Sequence, residues 1–466
     1  MAWLALDQGT SATKAVVIDD SGSAIAVAEV PVEVQASPDG AVVCDPEALW
    51  TSLVGAGTVA IASAGHPTID GISLANQGET VLAWDSATTR PLTPAISWQD
   101  RRAAAICEAR RRWSGELAAT TGLELDPYFV APKLRWLRDT LTHDGVIGTT
   151  DTWLLQRLTG SFVTDVATAS RSLLMALDTR QWSDRCVDVF GLGDETLATI
   201  VANDAAIGTT TAFGRSTIVR GVCVDQQAAL YGEGCYDLGS TKCTYGTGAF
   251  VLANAGSTPT WSQSGLVGCV AWDTQSTGPI YCLDGQVYTA GAAVGWLEAV
   301  GLINGPDDLD RLAGTVTSPS DVVFVPGLAG LAAPFWQPEA RGAFTGLTLA
   351  TTREHLVYAV LEGIASQIAW LMRGIGDDLG APVVRLRVDG GVTGSRVLLQ
   401  LQADLAQVLV EVYPSPHATA FGVAQLGGAP APGLVPRISL EPAMTRDAAE
   451  SRLIAWRRAT ESVLST

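Results

Sequence analysis

The sequence lacks the signatures of several common enzyme classes. It contains four His and eight Cys, with no HExxH or HxH arrangement and no CxxC pair, which are the usual spacings of zinc ligands. We therefore expect buried, reduced thiols and no zinc centre. The sequence also has no Gly-x-x-x-x-Gly-Lys-Ser/Thr loop and no Gly-x-Ser-x-Gly turn, which excludes a P-loop and a hydrolase nucleophile elbow.

Positive charge is scarce as well. The 29 Lys and Arg residues stand against 48 Asp and Glu, giving a net charge of −19. Such a field repels nucleic acids and anionic membranes, and the sequence has neither a leader-like start nor a run of about 18 apolar residues. We expect a soluble cytoplasmic protein with no nucleic-acid and no membrane partner. ATP still fits, because local donors and a metal ion can hold a small anion.

One strand–turn–strand design occurs twice in the chain. Near the start, the polar turn 7–11 separates two apolar stretches, and near the middle the turn 246–248 does the same. The repeat favours a duplicated domain, although two unrelated β-hairpins would give the same pattern.

The remaining chain alternates predicted strands and helices. Strands are predicted at 68–75 and 81–84, and helices at 101–113, 353–373 and 396–409. A chain of 466 residues, 47% of them hydrophobic, is long enough for two cores. The alternation predicts the α/β class, with a mixed sheet in each half.

Short motifs follow one another along nearly the whole chain. They are LDQGTS at 6–11, NQGET at 76–80, WQDRR at 98–102, DPYF at 126–129, DTWL at 151–154, ASR at 169–171, DQQAAL at 225–230, TYGTG at 244–248, APFW at 333–336 and DGG at 389–391. In these motifs the chain resembles the FGGY carbohydrate kinases. The TYGTG, DPYF and DQQAAL strings are most similar to the glycerol kinase branch of that family.

The resemblance implies a fold and a domain division. The fold would consist of two ribonuclease-H-like domains of the actin and hexokinase ATPase type, with a cleft between them. The N-terminal domain, 1–232, would face the polyol, and the C-terminal domain, 233–466, would face the nucleotide. The resemblance also implies ATP and Mg²⁺ as cofactors and, by analogy, a homodimer or homotetramer.

Asp225 corresponds to the catalytic base of the family. A carboxylate at this position can accept the proton of the attacking hydroxyl and orient that oxygen toward phosphorus. The alternative is a helix N-cap in front of residues 226–230, and the two roles are compatible.

Five further residues correspond to positions at the metal and the phosphates. Asp7 matches the residue near Mg²⁺, with contact through water because Mg²⁺ keeps much of its hydration. Thr10 and Ser11 match contacts to the transferring phosphate, and Thr247 matches a contact from the other half. Lys14 stands where glycerol kinases usually have Arg, so the charge is kept and the bidentate geometry is lost.

Four positions correspond to the nucleotide-binding end. Gly291 and Gly391 match glycines that let the nucleotide approach the backbone, although a turn or helix packing would also explain either one. Gly295 stands where the family often has Gln, and Ser395 where it often has Asn. We therefore expect looser recognition of adenine.

The polyol pocket of the family combines polar and aromatic side chains. Glu79 and Gln226 match its polar positions, and Trp98, Tyr128 and Phe250 match its aromatic positions. Hydroxyls need paired acceptors and C–H edges need apolar surface, so the set suits a polyol. Ordinary core packing is the alternative for each aromatic residue.

Gly78 is the largest departure from the family pattern, because glycerol kinases usually carry an Arg there that donates to a substrate hydroxyl. The leading interpretation is ATP-dependent phosphorylation of glycerol to sn-glycerol 3-phosphate. The loss of the Arg favours another sugar or polyol, such as erythritol or xylulose. A third hypothesis is a catalytically weak sensor or scaffold on a kinase fold. The stretch 208–215 does not match the sugar-bisphosphate loop of some bacterial glycerol kinases, so that allostery is not predicted.

Overall fold

The computed structural model describes residues 2–316 and 321–465. Its strands are β1 Ala2–Gln8, β2 Ala12–Asp19, β3 Ala24–Pro31, β4 Val34–Ala36, β5 Val42–Cys44, β6 Ile69–Asn76, β7 Val81–Trp84, β8 Ala95–Ile96, β9 Val146–Thr149, β10 Val163–Asp165, β11 Met175–Ala176, β12 Gln181–Trp182, β13 Thr199–Val201, β14 Ala206–Thr210, β15 Thr217–Val224, β16 Thr241–Tyr245, β17 Ala249–Gly256, β18 Val267–Thr274, β19 Gly278–Val287, β20 Val323–Val325, β21 Ala343–Thr345, β22 Arg385–Asp389, β23 Leu409–Val412 and β24 Ile438–Leu440. Its α-helices are α1 Pro46–Ser63, α2 Ala104–Glu108, α3 Ser114–Thr121, α4 Val130–Thr140, α5 Thr150–Thr159, α6 Val166–Ala169, α7 Asp184–Phe190, α8 Asp225–Gly232, α9 Gly291–Ala299, α10 Asp308–Ala313, α11 Arg353–Leu379, α12 Arg396–Ala406, α13 Ala418–Gly427 and α14 Arg446–Leu464.

The first half is built on a mixed sheet with the strand order β14-β15-β6-β1-β2-β3. β1 and β2 form the antiparallel hairpin predicted from the sequence, and β6 and β15 extend the sheet in parallel with β1. β1 is covered on both faces, because Leu4 and Leu6 pack with α1 while Ala5 packs with α13. The carboxyl ends of the three parallel strands therefore lie at one edge of the sheet.

The second half repeats this arrangement. Its sheet has the order β18-β19-β17-β16-β22-β23-β24, in which β16 and β17 form the second predicted hairpin and β22 and β23 follow in parallel. Each sheet thus contains a hairpin, a third antiparallel strand on one side and two parallel strands on the other. This common order favours the duplicated domain over two unrelated hairpins, and the α/β class with a mixed sheet in each half is confirmed.

Helix α11 forms the core of the second half. It begins at a capping box between Thr352 and His355 and runs to Leu379, six residues beyond the predicted helix. By length and composition alone it could cross a membrane, but 78% of its most apolar 18-residue window is buried inside the protein. α11 is therefore a core helix of this fold.

The packing of the two halves is continuous across the predicted boundary. α13 comes late in the chain, yet it packs against α8, β6 and β15 of the first half. One apolar cluster contains Val224 from β15 together with Leu252 and Cys269 from the second sheet. The division at residue 232 remains a prediction. All eight cysteines are free and buried, as the sequence predicted.

The single helix predicted at 101–113 is wrong. The structure has the short helix α2 and then a separate 3₁₀ turn, Arg111–Trp113. Before α2, the Asp100 carboxylate accepts a hydrogen bond from the Arg102 backbone N–H at 3.0 Å. Such a side-chain bond offers the backbone an alternative to the helix and delays its start.

Candidate active site

A cavity of about 200 Å³ lies between the two halves, at the edge where the parallel strands of the first sheet end. Ten residues predicted from the sequence line it: Thr10, Ser11, Gly78, Glu79, Trp98, Tyr128, Asp225, Gln226, Thr247 and Phe250. The fold therefore brings together residues from six separate motifs. The volume is small beside the roughly 300–1,000 Å³ of pockets for drug-sized ligands.

The two hairpin turns approach the cavity from opposite halves. Thr10 and Ser11 lie in the turn between β1 and β2, and Thr247 lies in the turn between β16 and β17. The Trp98 indole N–H donates to the Thr10 hydroxyl at 2.9 Å and so holds the first turn. Turns of this kind present hydroxyls and backbone N–H groups that can bind phosphate.

Asp225 is the first residue of α8, at the carboxyl end of β15. The helix N-cap is Val224, and no side chain caps the helix, so the N-cap interpretation of Asp225 is wrong. Its carboxylate accepts a hydrogen bond from the adjacent Gln226 backbone N–H at 2.7 Å. Burial raises the pKa of Asp225, and the nearby Lys242 ammonium partly offsets that rise. The carboxyl group is therefore left available on the cavity wall.

Lys242 is a site residue that sequence reasoning missed. It is fully buried in β16, where its ammonium donates to the Gln226 side chain at 2.6 Å and to the Thr244 hydroxyl at 2.8 Å. Thr244 and Gln226 both line the cavity. A Lys in the middle of a buried strand needs a partner. The position of Lys242 within the predicted strand Thr241–Tyr245 could therefore have identified it.

Arg171 is a second missed residue, although it belongs to the ASR motif quoted for the family. It follows α6, lines the cavity and is buried. Its guanidinium donates to the Glu79 carboxylate, to Asp284 at 2.6 Å and to the Tyr128 hydroxyl at 3.1 Å. Because Asp284 belongs to β19, Arg171 joins the two halves at the floor of the cavity.

The predicted aromatic residues lie together on one wall. The Trp98 ring lies edge-on to both Tyr128 and Phe250, with centroid distances of 5.8 Å and 6.0 Å. Such edge-to-face contacts hold rings in fixed orientations. The wall therefore presents a rigid apolar surface beside the polar Glu79 and Asp225.

Asp7 lies at the end of β1, near two other carboxyl groups. Burial together with the charges of Asp225 and Asp389 raises the pKa of Asp7 to about 7, and Lys14, its partner across the hairpin, acts in the opposite direction. A divalent cation would reduce the repulsion between these carboxylates, and Mg²⁺ prefers oxygen ligands. In residues 2–316 and 321–465 no group of three or more His, Cys, Asp or Glu is arranged to hold a metal. The crowded carboxyl groups would fit a Mg²⁺ ion that keeps much of its water.

The predicted nucleotide-binding end is formed by backbone. The N-terminus of α9 lies on the second hairpin turn, where the Gly291 N–H donates to the Gly246 carbonyl at 2.9 Å. A Cβ on Gly291 would lie 2.6 Å from that carbonyl oxygen, so only Gly fits. In the DGG motif the constrained residue is Gly390, with φ of 94° and no room beside Tyr245, whereas Gly391 is surrounded by open space.

The other two residues predicted at this end have different surroundings. Gly295 is exposed on α9, with nothing within 4 Å of its Cβ position. Ser395 is buried as the N-cap of α12, accepting from the Leu398 N–H and donating to Asp310 at 2.5 Å. Neither lines the cavity.

Comparisons with known proteins agree with this architecture. Residues 2–232 match the N-terminal domain of the FGGY family of carbohydrate kinases, and residues 241–431 match its C-terminal domain. A glycerol kinase of Thermus brockianus is 40% identical, over 98% of this chain and 97% of that protein. A Plasmodium falciparum glycerol kinase structure with ADP has a TM-score of 0.90 at 30% identity, covering 99% of this chain and 98% of the other. A xylulose kinase structure from Brucella ovis has a TM-score of 0.85 at 25% identity, covering 100% and 98%.

Proposed function

The chain belongs to the FGGY family of carbohydrate kinases, and we propose that it transfers the γ-phosphoryl group of ATP to a terminal hydroxyl of glycerol, giving sn-glycerol 3-phosphate. One observation carries the proposal: the Asp225 carboxyl group lines a small cavity between two hairpin turns, one from each half. A substrate hydroxyl beside that carboxylate can meet a phosphate held by both turns.

In the proposed reaction, Asp225 is the general base. It accepts the proton of the substrate hydroxyl while that oxygen forms its bond to phosphorus and the bond to the ADP leaving oxygen breaks. Burial raises the pKa of Asp225, which strengthens it as a base, and the ammonium of Lys242 favours its ionised form. Thr10, Ser11 and Thr247 hold the phosphate with hydroxyls and backbone N–H groups.

Asp7 is proposed to hold Mg²⁺ through water, with Lys14 beside it. When bound, Mg²⁺ neutralises charge on the β- and γ-phosphates. At the far end of the cleft, Gly291 and the DGG loop with Gly391 give the nucleotide close access to the backbone. Gly295 and Ser395 are proposed to recognise adenine only loosely, because Gly295 has no side chain and the Ser395 hydroxyl donates to Asp310.

Glycerol is preferred as the substrate for two reasons. The chain is 40% identical to a protein named glycerol kinase over nearly its full length, and the cavity of about 200 Å³ suits a small polyol. Because Gly78 replaces the usual Arg, a second candidate function is a kinase for another sugar or polyol, such as erythritol or xylulose. We also propose a cytoplasmic location and a homodimer or homotetramer.

The test is an ADP-release assay with glycerol, erythritol, xylitol, xylulose, ribulose and gluconate at matched concentrations. We expect the highest kcat/KM for glycerol. If a sugar or polyol of five or six carbons exceeds glycerol by more than about tenfold, roughly 1.4 kcal/mol, the glycerol assignment is wrong. Absence of turnover with every compound would favour the sensor or scaffold hypothesis instead.

A further inference from the structure

The position next to Glu79 lacks a side chain, yet the space beside it is occupied. A Cβ on Gly78 would lie 3.0 Å from the Val224 side chain and 3.8 Å from Nε of Arg171. Both of those residues line the cavity. The guanidinium of Arg171 therefore reaches the cavity wall beside Gly78 from a different segment of the chain.

Arg171 is held firmly in this place. Its Nε bonds Glu79, one terminal nitrogen bonds Asp284 and contacts the Cys269 sulfur, and the other bonds the Tyr128 hydroxyl. A guanidinium has five N–H groups in a rigid fork. Among the described residues, these contacts use four of them and leave one N–H without an acceptor, on the nitrogen that faces Tyr128. A buried N–H without an acceptor is costly, and a substrate oxygen in the cavity would satisfy it.

We propose that Arg171 binds the substrate directly and determines its specificity, donating to a hydroxyl of the polyol that also lies within reach of Glu79 and Tyr128. This inference rests on the proposed function, since it concerns the same cavity. It assigns to Arg171 the donation that Gly78 cannot make. A site with a buried donor rejects an analogue that lacks the matching hydroxyl, because the donor is then left unpaired.

The competing explanation is that Arg171 only connects the two halves through Asp284. A purely structural role would affect every substrate alike. A direct contact affects only those substrates that carry the contacted hydroxyl, and this difference defines the test.

The experiment compares the wild type with Arg171→Lys on glycerol, 1,2-propanediol and 1,3-propanediol. Lys keeps the charge between Glu79 and Asp284 and loses the fork geometry. We expect kcat/KM for glycerol to fall by about 100-fold, and that for one of the two diols, the one without the contacted hydroxyl, to fall by less than about threefold. Equal losses on all three substrates overturn the proposal.

Asp284→Asn is the matched control, because it weakens the link between the halves and leaves the guanidinium in the cavity. The decrease in kcat/KM for this variant should be similar on all three substrates. If Arg171→Lys fails to fold, a crystal structure of the wild type with glycerol and a non-hydrolysable ATP analogue decides the question. An Arg171 nitrogen within about 3.2 Å of a glycerol oxygen supports the contact, and a separation beyond about 4 Å overturns it.

The wild-type rates separate this inference from the proposed function. Poor turnover of glycerol by the wild type would count against glycerol as substrate. The comparison of Arg171→Lys would then be made with the preferred polyol and its deoxy analogues, so Arg171 is tested in either case.

Discussion

At the proposed polyol end of the cleft, the wall consists of side chains held by other side chains, whereas at the proposed nucleotide end it consists of backbone turns held by glycines. Glu79 is held by Arg171 and Gln226 by Lys242. Gly291 and Gly390 instead allow two chain segments to touch. The first kind of site recognises particular hydroxyls, and the second recognises phosphates that any nucleoside triphosphate carries. Substitutions should therefore affect the two ends in different ways.

The largest effect is expected at the proposed base. Asp225→Asn removes the proton acceptor and keeps the shape, so kcat should fall by about 10³-fold, within the range of general base catalysis, while nucleotide affinity changes little. ADP release and a nucleotide-binding titration measure the two quantities. The control is Asp237→Asn, an exposed residue outside the cavity. Near-normal turnover of Asp225→Asn would remove this residue from the mechanism.

A smaller effect is expected at Lys242. Lys242→Met leaves Gln226 and Thr244 without their shared donor, and we expect kcat to fall by about 10- to 100-fold. Because Lys242 lowers the pKa of Asp225, its loss raises that pKa further. The decline of kcat/KM at acidic pH should therefore begin at a higher pH in the variant, since the base must be ionised.

Lys242→Arg keeps the charge and is the matched variant for this test. Its acidic limb should stay close to that of the wild type even if kcat decreases. An unchanged pH profile in Lys242→Met would show that the ammonium does not act through Asp225.

Sequence reasoning identified the residues that line the cavity better than the residues that hold them in place. Each of Glu79, Tyr128 and Asp225 lies in a short motif of consecutive residues. The turns and strands around them follow from local patterns of apolar residues and glycine. Arg171 was visible in such a motif, but its partner Asp284 is 113 residues away, and only the fold brings the two together. No short-range pattern contains that contact.

At the proposed nucleotide end, the motifs indicated loops whose detailed geometry they did not specify. Gly391 was singled out, but the positive φ belongs to Gly390. The backbone angle depends on how β22 meets Tyr245, which the string DGG does not specify. Ser395 was expected near adenine, and the structure uses its hydroxyl at the start of a helix, a role favoured for Ser wherever a helix begins.

The glycines of α9 give a paired test of the nucleotide end. In Gly291→Ala, the new Cβ would lie 2.6 Å from the Gly246 carbonyl oxygen, so the second hairpin turn must shift. We expect KM for ATP to rise by about tenfold, with KM for glycerol nearly unchanged. Gly295→Ala, four residues later on the same helix, has open space around it and should change neither KM. Equal effects of the two variants would contradict the close approach at Gly291.

The smallest effect is expected at Ser395, where the helix cap and the family resemblance give opposite predictions. Ser395→Ala removes the acceptor for the Leu398 N–H and the donor to Asp310, so the free energy of unfolding should fall by about 1 kcal/mol, as for other lost N-caps. Asp310 still accepts from the Arg396 N–H at 2.7 Å, which limits the loss. KM for ATP should change by less than about twofold, because the hydroxyl is turned toward the protein. Denaturant unfolding and ATP titration of the same variant measure both values, and a tenfold rise in KM for ATP with unchanged stability would return Ser395 to the adenine site.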